Sequence, residues 1–176
     1  MIVHLQKAHL IQRYNLRKIA DRFIGIPIVK LLSITKCQAI EPEDAQEIVA
    51  LKFYGLGDFI LSTPALKVLA KKKLHVVVSP KIVEAAQMYP FIESLSEFTE
   101  NPAGFKTNIR KFKHVDCVID FELFSRISSI LTLLIRPKCS IGFNSPSQRR
   151  HIAYTHPVKY PESAHVAEAF LKLVEP

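Results

Sequence analysis

The stretch Ile48 to Leu69, IVALKFYGLGDFILSTPALKVL, constrains this chain more than any other. An apolar run, Ile48 to Leu51, passes through Lys52 and Phe53 into a turn punctuated by Gly55 and Gly57. Asp58 follows, and then Phe59, Ile60, Leu61, Leu66, Val68 and Leu69 recur near a period of 3.6. An apolar β run, a glycine turn and a helical period spell strand, tight turn, helix. Two glycines without Cβ atoms let the backbone turn sharply and leave room for a ligand. Asp58 stands where a helix N-cap would accept orphan N–H groups, and Ser62-Thr63-Pro64 offers a second start for the helix one turn on.

The rest of the chain repeats this alternation. Leu74 to Val78, Leu95 to Phe98, His114 to Phe121 and Ser140 to Phe143 read as further strands. Helical patterns fall over 81–88, Asn101 to Phe112, 122–135 and Ala164 to Val174, with a polar, basic loop from Asn144 to Arg150. Continuous apolar strands separated by helices imply a parallel sheet covered on both faces, a Rossmann-like doubly wound α/β domain. Glu41-Pro42-Glu43-Asp44 is a proline-broken connector into the first strand.

Ahead of it, residues 1–40 form a basic amphipathic helical extension. They hold seven basic side chains and one acid, leaving 17 basic and 15 acidic residues in the nearly neutral remainder of this +8 chain. Leu16, Ile19, Ala20, Phe23 and Ile24 recur at helical spacing, and the pattern resumes at Ile28 after Gly25 and Pro27. A basic helix with an apolar stripe suits an anionic membrane surface, and equally suits packing on its own domain. No apolar run is long enough for a transmembrane helix, and no cleavable leader pattern is present. Three dispersed cysteines support neither a zinc ribbon nor a disulfide scaffold, so a reducing, cytosolic setting is the simpler assumption.

The motif at 48–69 resembles the opening of family-nine glycosyltransferases, the group that includes the lipopolysaccharide heptosyltransferases. Members begin with an apolar strand, a basic residue, a turn ending in Gly-Asp and a Thr-Pro-Ala-Leu-type helix. Ile48 to Leu51, Lys52, Gly57-Asp58 and Thr63-Pro64-Ala65-Leu66 match in order. Leu74 to Ser79, Ile82 to Pro90, Val115 to Asp120, Ile141-Gly142-Phe143, Arg149-Arg150, Tyr154-Thr155-His156 and His165-Val166-Ala167-Glu168 extend the likeness across 47–176. Where heptosyltransferase-type members often carry serines before Gly-Asp, this chain has Tyr54-Gly55-Leu56, so heptose specificity does not carry over. The resemblance implies the acceptor-side N-terminal domain of a two-domain GT-B fold, with the donor domain expected in a separate C-terminal half. It also implies a nucleotide-sugar co-substrate, a glycan acceptor, no metal or other cofactor, and a cytoplasmic position against the inner membrane face.

By that resemblance Asp58 is the base that takes the acceptor hydroxyl proton, and a βα loop at the carboxyl end of a parallel strand is a suitable place for it. As an isolated residue it reads first as a helix cap, and the surrounding family pattern is what favours the catalytic role. Gly55 and Gly57 could cradle a phosphate or simply make the turn; the pattern is neither GxGxxG nor GxxxxGK[ST]. Lys52 could meet a phosphate or stand solvated at a strand end. Thr63 lies in the matched motif. Asp120 could line the cleft or cap the next helix. Arg149 and Arg150 could grip a phosphorylated saccharide or form a solvated loop. His165 with Glu168 could face the cleft or pair on the closing helix, and His151 and His156 lack a third metal ligand. A non-catalytic acceptor-binding or membrane-associated module is the alternative to an enzyme. Nucleic-acid binding has no aromatic-basic face or motif behind it.

Overall fold

In a computed structural model, which describes residues 26–34, 40–144 and 149–175, the chain forms one six-stranded parallel sheet between helical layers. The arm before residue 26, Cys37 and residues 145–148 of the basic loop lie outside the described residues. In chain order the elements begin with α1 (Ile26–Ser33), a 3-10 turn (Pro42–Asp44), β1 (Glu47–Lys52), α2 (Leu56–Leu61), α3 (Thr63–Leu69), β2 (Lys73–Val78), α4 (Val83–Gln87) and β3 (Ser94–Glu97). They continue with α5 (Pro102–Phe112), β4 (Cys117–Asp120), α6 (Arg126–Ile135), β5 (Cys139–Asn144), a 3-10 turn (Arg150–Ala153), β6 (His156–Lys159) and α7 (Val166–Leu171).

The strand order is β3-β2-β1-β4-β5-β6. This is the doubly wound order, in which the winding reverses between β1 and β4 and opens a crevice at their carboxyl ends. Period-2 alternation sorts the strands' side chains onto two faces. Ile48, Ala50, Val76, Ile119 and Ile141 join Phe59, Leu66 and Phe170 in one core, while Val49, Leu51, Val77 and Val118 join Phe98, Phe112 and Leu131 in the other. Burial on both faces is why these strands read as unbroken apolar runs. The fold class expected from the sequence is the fold observed.

Several details depart from the sequence reading. The helix after β1 is broken in two at Ser62, whose hydroxyl donates to Phe59 O at 2.7 Å, and it restarts at Thr63 with Pro64 in the first turn. His114 and Val115 are not part of β4, since His114 sits at φ 65°, a left-handed conformation that a strand cannot contain. A sixth strand, β6, was not anticipated. Its Pro157 lacks a donor and sits on the sheet's edge, where a missing N–H is tolerated. Asn101 accepts from Gly104 N at 2.8 Å and starts α5 as an N-cap.

Helix α1 packs on α6 and the Arg150–Ala153 turn through Val29 and Leu32, in a small cluster with Leu133, Ala153 and Tyr154. Leu31 and Ile34 on the other side are exposed. No helix among the described residues is long and apolar enough to cross a membrane.

Candidate functional site

Lys52 ends β1 with its side chain folded inward rather than solvated; it is 2% exposed. A buried ammonium must be paired. Its Nζ lies 3.1 Å from Glu122 Oε1, donates to the carbonyl of Tyr54, and faces Asp58 Oδ2 at 3.9 Å. Glu122 comes from the loop after β4, the neighbour of β1, so the two strand ends at the switch point are clasped by one ion pair. The same Glu122 oxygen accepts from Phe53 N at 2.6 Å and Tyr54 N at 2.9 Å, which fixes the entry into the glycine turn. Burial pushes the Glu122 carboxyl above its usual range, with Lys52 and the Tyr54 amide pulling the other way.

The turn then presents Asp58. Gly55 is at φ 79°, and a Cβ there would lie 3.1 Å from Asp58 Oδ2. A side chain at that position would be strained in backbone and would push the carboxylate aside. A Cβ on Gly57 would meet nothing within 4 Å, so that flank of the turn is open space. Asp58 is not the helix cap. The N-cap position is Gly55, and Asp58 is the third residue of α2 with no capping hydrogen bond to its side chain. Its side chain is 43% exposed. Beside it, Tyr54 donates its hydroxyl to Glu100, and burial together with that carboxylate raises the phenol's pKa.

Asp120 and Arg150 lie behind this surface, not on it. Both side chains are fully buried, with Arg150 Nη2 2.8 Å from Asp120 Oδ2. Arg150 also donates to Ser129 Oγ (3.1 Å), Ser128 Oγ (3.2 Å), Tyr154 Oη (2.9 Å) and the Glu122 carbonyl. Tyr154 Oη donates to Asp120 Oδ2 at 2.6 Å, and Asp120 Oδ1 accepts from Glu122 N at 2.9 Å. Each of the three guanidinium nitrogens donates to protein, and the side chain is fully buried, so in this arrangement it is not presented to a saccharide phosphate. Arg150 is therefore a strut that holds the Glu122 loop, and Asp120 is its counter-charge. Burial and the adjacent Asp120 raise the Tyr154 phenol far above its normal range, so it stays a neutral donor.

The remaining expected residues spread around this centre. Arg149, left-handed at φ 55°, is exposed at the start of the 3-10 turn. Thr63 Oγ1 donates to Tyr89 Oη at 3.0 Å. His165 caps α7, its Nδ1 accepting from Ala167 N at 3.3 Å, and α7 packs on α2 and α3. Among the described residues no group of three His, Cys, Asp or Glu side chains is placed to hold a metal ion. Sequence reasoning missed Glu122, Tyr154, Ser128 and Ser129. A lysine closing an apolar strand was a signal for Glu122, because the neighbouring parallel strand's end is where a counter-charge can sit.

No protein-family model and no curated protein matches the chain. Solved structures do. A glycosyl transferase family 9 protein from Veillonella parvula superposes with a TM-score of 0.63 and 24% identity, over 77% of this chain and 41% of that one. E. coli heptosyltransferase WaaC, solved with ADP, superposes with a TM-score of 0.63 and 16% identity, over 73% of this chain and 46% of the enzyme. The chain thus spans less than half the length of either structure, and over about three-quarters of its own length it has their fold.

Proposed function

We propose that this chain is the acceptor-side half of a glycosyltransferase of the family-nine, heptosyltransferase-like type, with Asp58 as its base. The observation that carries the reading is the placement of Asp58. A half-exposed carboxylate stands at the carboxyl end of the central strand, at the winding reversal, beside open space at Gly57 and a buried Lys52. In an inverting transfer the acceptor hydroxyl loses its proton to this carboxylate while its oxygen attacks the sugar carbon and the nucleotide departs. Lys52 offsets part of the negative charge on the turn and, held by Glu122, keeps Asp58 from drifting. The acceptor is a cell-surface glycan such as a lipopolysaccharide core, and the donor a nucleotide sugar bound largely by a second domain. That reading places the protein in the cytoplasm, against the inner face of the membrane.

The test combines calorimetry with ADP- and UDP-sugars, a product assay with bacterial glycan acceptors, and amide NMR of the chain titrated with a phosphorylated core saccharide. Saccharide-induced shifts are expected at Gly55, Gly57 and Asp58. Where turnover is measurable, alone or with a donor domain added, Asp58→Ala should lower it by about 10²–10⁴-fold, the range for loss of a general base. Shifts confined to other surfaces, or full turnover in Asp58→Ala, would refute the assignment. Saccharide binding without donor binding or turnover by the chain alone would identify it as an acceptor-binding module that needs its other half.

A further inference from the structure

Helix α1 carries apolar residues on both of its sides. Val29 is buried and Leu32 half-buried, packed with Leu133, Ala153 and Tyr154, so one side of the helix already has its partner. Pro27, Lys30, Leu31 and Ile34 recur at the i, i+3, i+4, i+7 spacing that shares one face, opposite Val29 and Leu32. All four are exposed, Leu31 by 69% and Ile34, the residue just past the helix, by 80%. Within IPIVKLLS only Lys30 and Ser33 are polar, and the Ser33 hydroxyl turns back to donate to the Lys30 carbonyl at 2.7 Å. A helix that faced water on this side would show polar residues where Leu31 and Ile34 stand.

The charge around this face indicates what covers it. Helices α1 and α6 and the Arg150–Ala153 turn, which pack together here, contain no acidic residue. Lys30 stands among the exposed apolar side chains, and Arg136 and Arg149, which flank α6 and the turn, are exposed as well. Lys30 is also one of seven basic residues that positions 1–40 set against Asp21 alone, in a chain whose remainder is nearly neutral. Packing against the chain's own nearly neutral body gives no reason for this concentration of one sign. A second copy of the same face would bring like charges together. An anionic lipid surface satisfies both features, since it attracts each Lys or Arg and takes apolar side chains into the boundary below its headgroups.

We propose that the exposed face of α1, together with the basic residues that precede it in sequence, is a docking surface for an anionic lipid bilayer. Leu31 and Ile34 enter the boundary between headgroups and acyl chains, with Ile28 at their margin, and Lys30 meets lipid phosphate. Val29 and Leu32, on the opposite side, keep the docked helix fastened to the domain. The inference rests on exposure and charge alone, and it stands or falls separately from the transferase reading.

The experiment sediments the full chain with vesicles of phosphatidylglycerol and phosphatidylcholine in equal parts, and with phosphatidylcholine alone. Binding is expected to the first and not to the second, and to weaken as salt is raised. Arg17→Gln and Lys18→Gln should each weaken partitioning by about fivefold, the share of one basic residue near an anionic surface. Leu31→Glu/Ile34→Glu should weaken it by about tenfold or more, with an unchanged melting temperature because both side chains are exposed. The chain has no tryptophan, so Leu31→Trp supplies a single reporter at the face. Its emission should move to the blue when anionic vesicles are added. Absence of binding to anionic vesicles, or equal binding to both compositions, would overturn the proposal. So would sedimentation without a shift in the Trp emission, because the lipid contact would then lie elsewhere. A dimer in light scattering that Leu31→Glu/Ile34→Glu splits, with no vesicle binding, would assign the face to a second copy instead. The wild-type sedimentation and the Leu31→Trp emission decide the matter even if the double variant fails to fold.

Discussion

Arg150→Met is the substitution that most directly separates a strut from a ligand. The guanidinium and the Asp120 carboxylate are both fully buried and 2.8 Å apart. Methionine fills much of the same volume but removes the counter-charge, leaving Asp120 with only the Tyr154 hydroxyl and the Glu122 amide. Removing one partner of a buried ion pair typically costs about 3–5 kcal/mol, because the other is left as an uncompensated charge. A domain of this size is held by about 5–15 kcal/mol in all, so the loss is a third or more of the total for most of that range. At about 2–4 °C per kcal/mol the melting temperature should fall by roughly 6–20 °C. Urea unfolding followed by circular dichroism reads the midpoint, and an unchanged slope identifies the shift as stability. The double variant Asp120→Leu/Arg150→Met should recover part of the loss, since the buried charge is then gone as well. A cost below about 1 kcal/mol, or intact stability with lost affinity for a phosphorylated saccharide, would refute the strut and restore Arg150 as a ligand.

Two further perturbations probe the scaffold around the site. Gly142→Ala places a Cβ against Tyr154 Cζ and within 2.5–2.7 Å of the two Cε atoms beside it, in a ring pinned by its hydroxyl bonds to Asp120 and Arg150. Thermal unfolding should show a loss of about 1–3 kcal/mol, and a neutral result would mean that the ring is not pinned. Asp116 accepts from Gln46 N and Glu47 N at 3.1 Å and pairs with Lys138, whose hydrogen bond holds its carboxyl below the ordinary value of 3.8. A depressed carboxylate contributes stability above its unfolded pKa and loses it as pH falls through the native one, so Asp116→Asn should flatten the acid limb of a stability profile below about pH 4; an unchanged limb would remove Asp116 from it.

The sheet was legible because its strands are buried on both faces. Val49, Leu51, Val77 and Val118 pack against one helical layer, while Ile48, Ala50, Val76 and Ile119 pack against the other, so each strand appears as a continuous apolar run. β6 was hidden for the converse reason. It is an edge strand, its residues alternate between half-buried and exposed, and it contains Pro157, which reads locally as a loop. The break at Ser62 was half visible in Thr63-Pro64, yet the apolar period of 3.6 runs on through it, and periodicity alone cannot register a one-residue interruption.

The site was legible to the extent that one short segment builds it. Gly55, Gly57 and Asp58 lie within four residues, and their turn could be drawn from sequence. What holds the turn could not be, because Lys52, Glu122 and Arg150 meet only after β1 and β4 pair and the chain returns from β5. The error over Arg150 has a physical cause. Next to Arg149 in a polar segment, it looks like one of two equivalent surface cations, and only the fold shows that the first points to water and the second into the core. Opposite fates for adjacent residues follow from the left-handed Arg149, at φ 55°, which turns the chain into the 3-10 turn with Arg150 facing inward. Ser128 and Ser129 then stop being poor helix residues and become the acceptors that a buried guanidinium requires. The same logic accounts for Glu122. A carboxylate raised by burial is a poor surface group but a good clamp, since its Oε1 receives Lys52 and two backbone amides at once. The clamp orders the turn from below while Asp58 makes no capping bond, so its exposed carboxylate is not spent on its own helix, which is what the proposed role of a base requires.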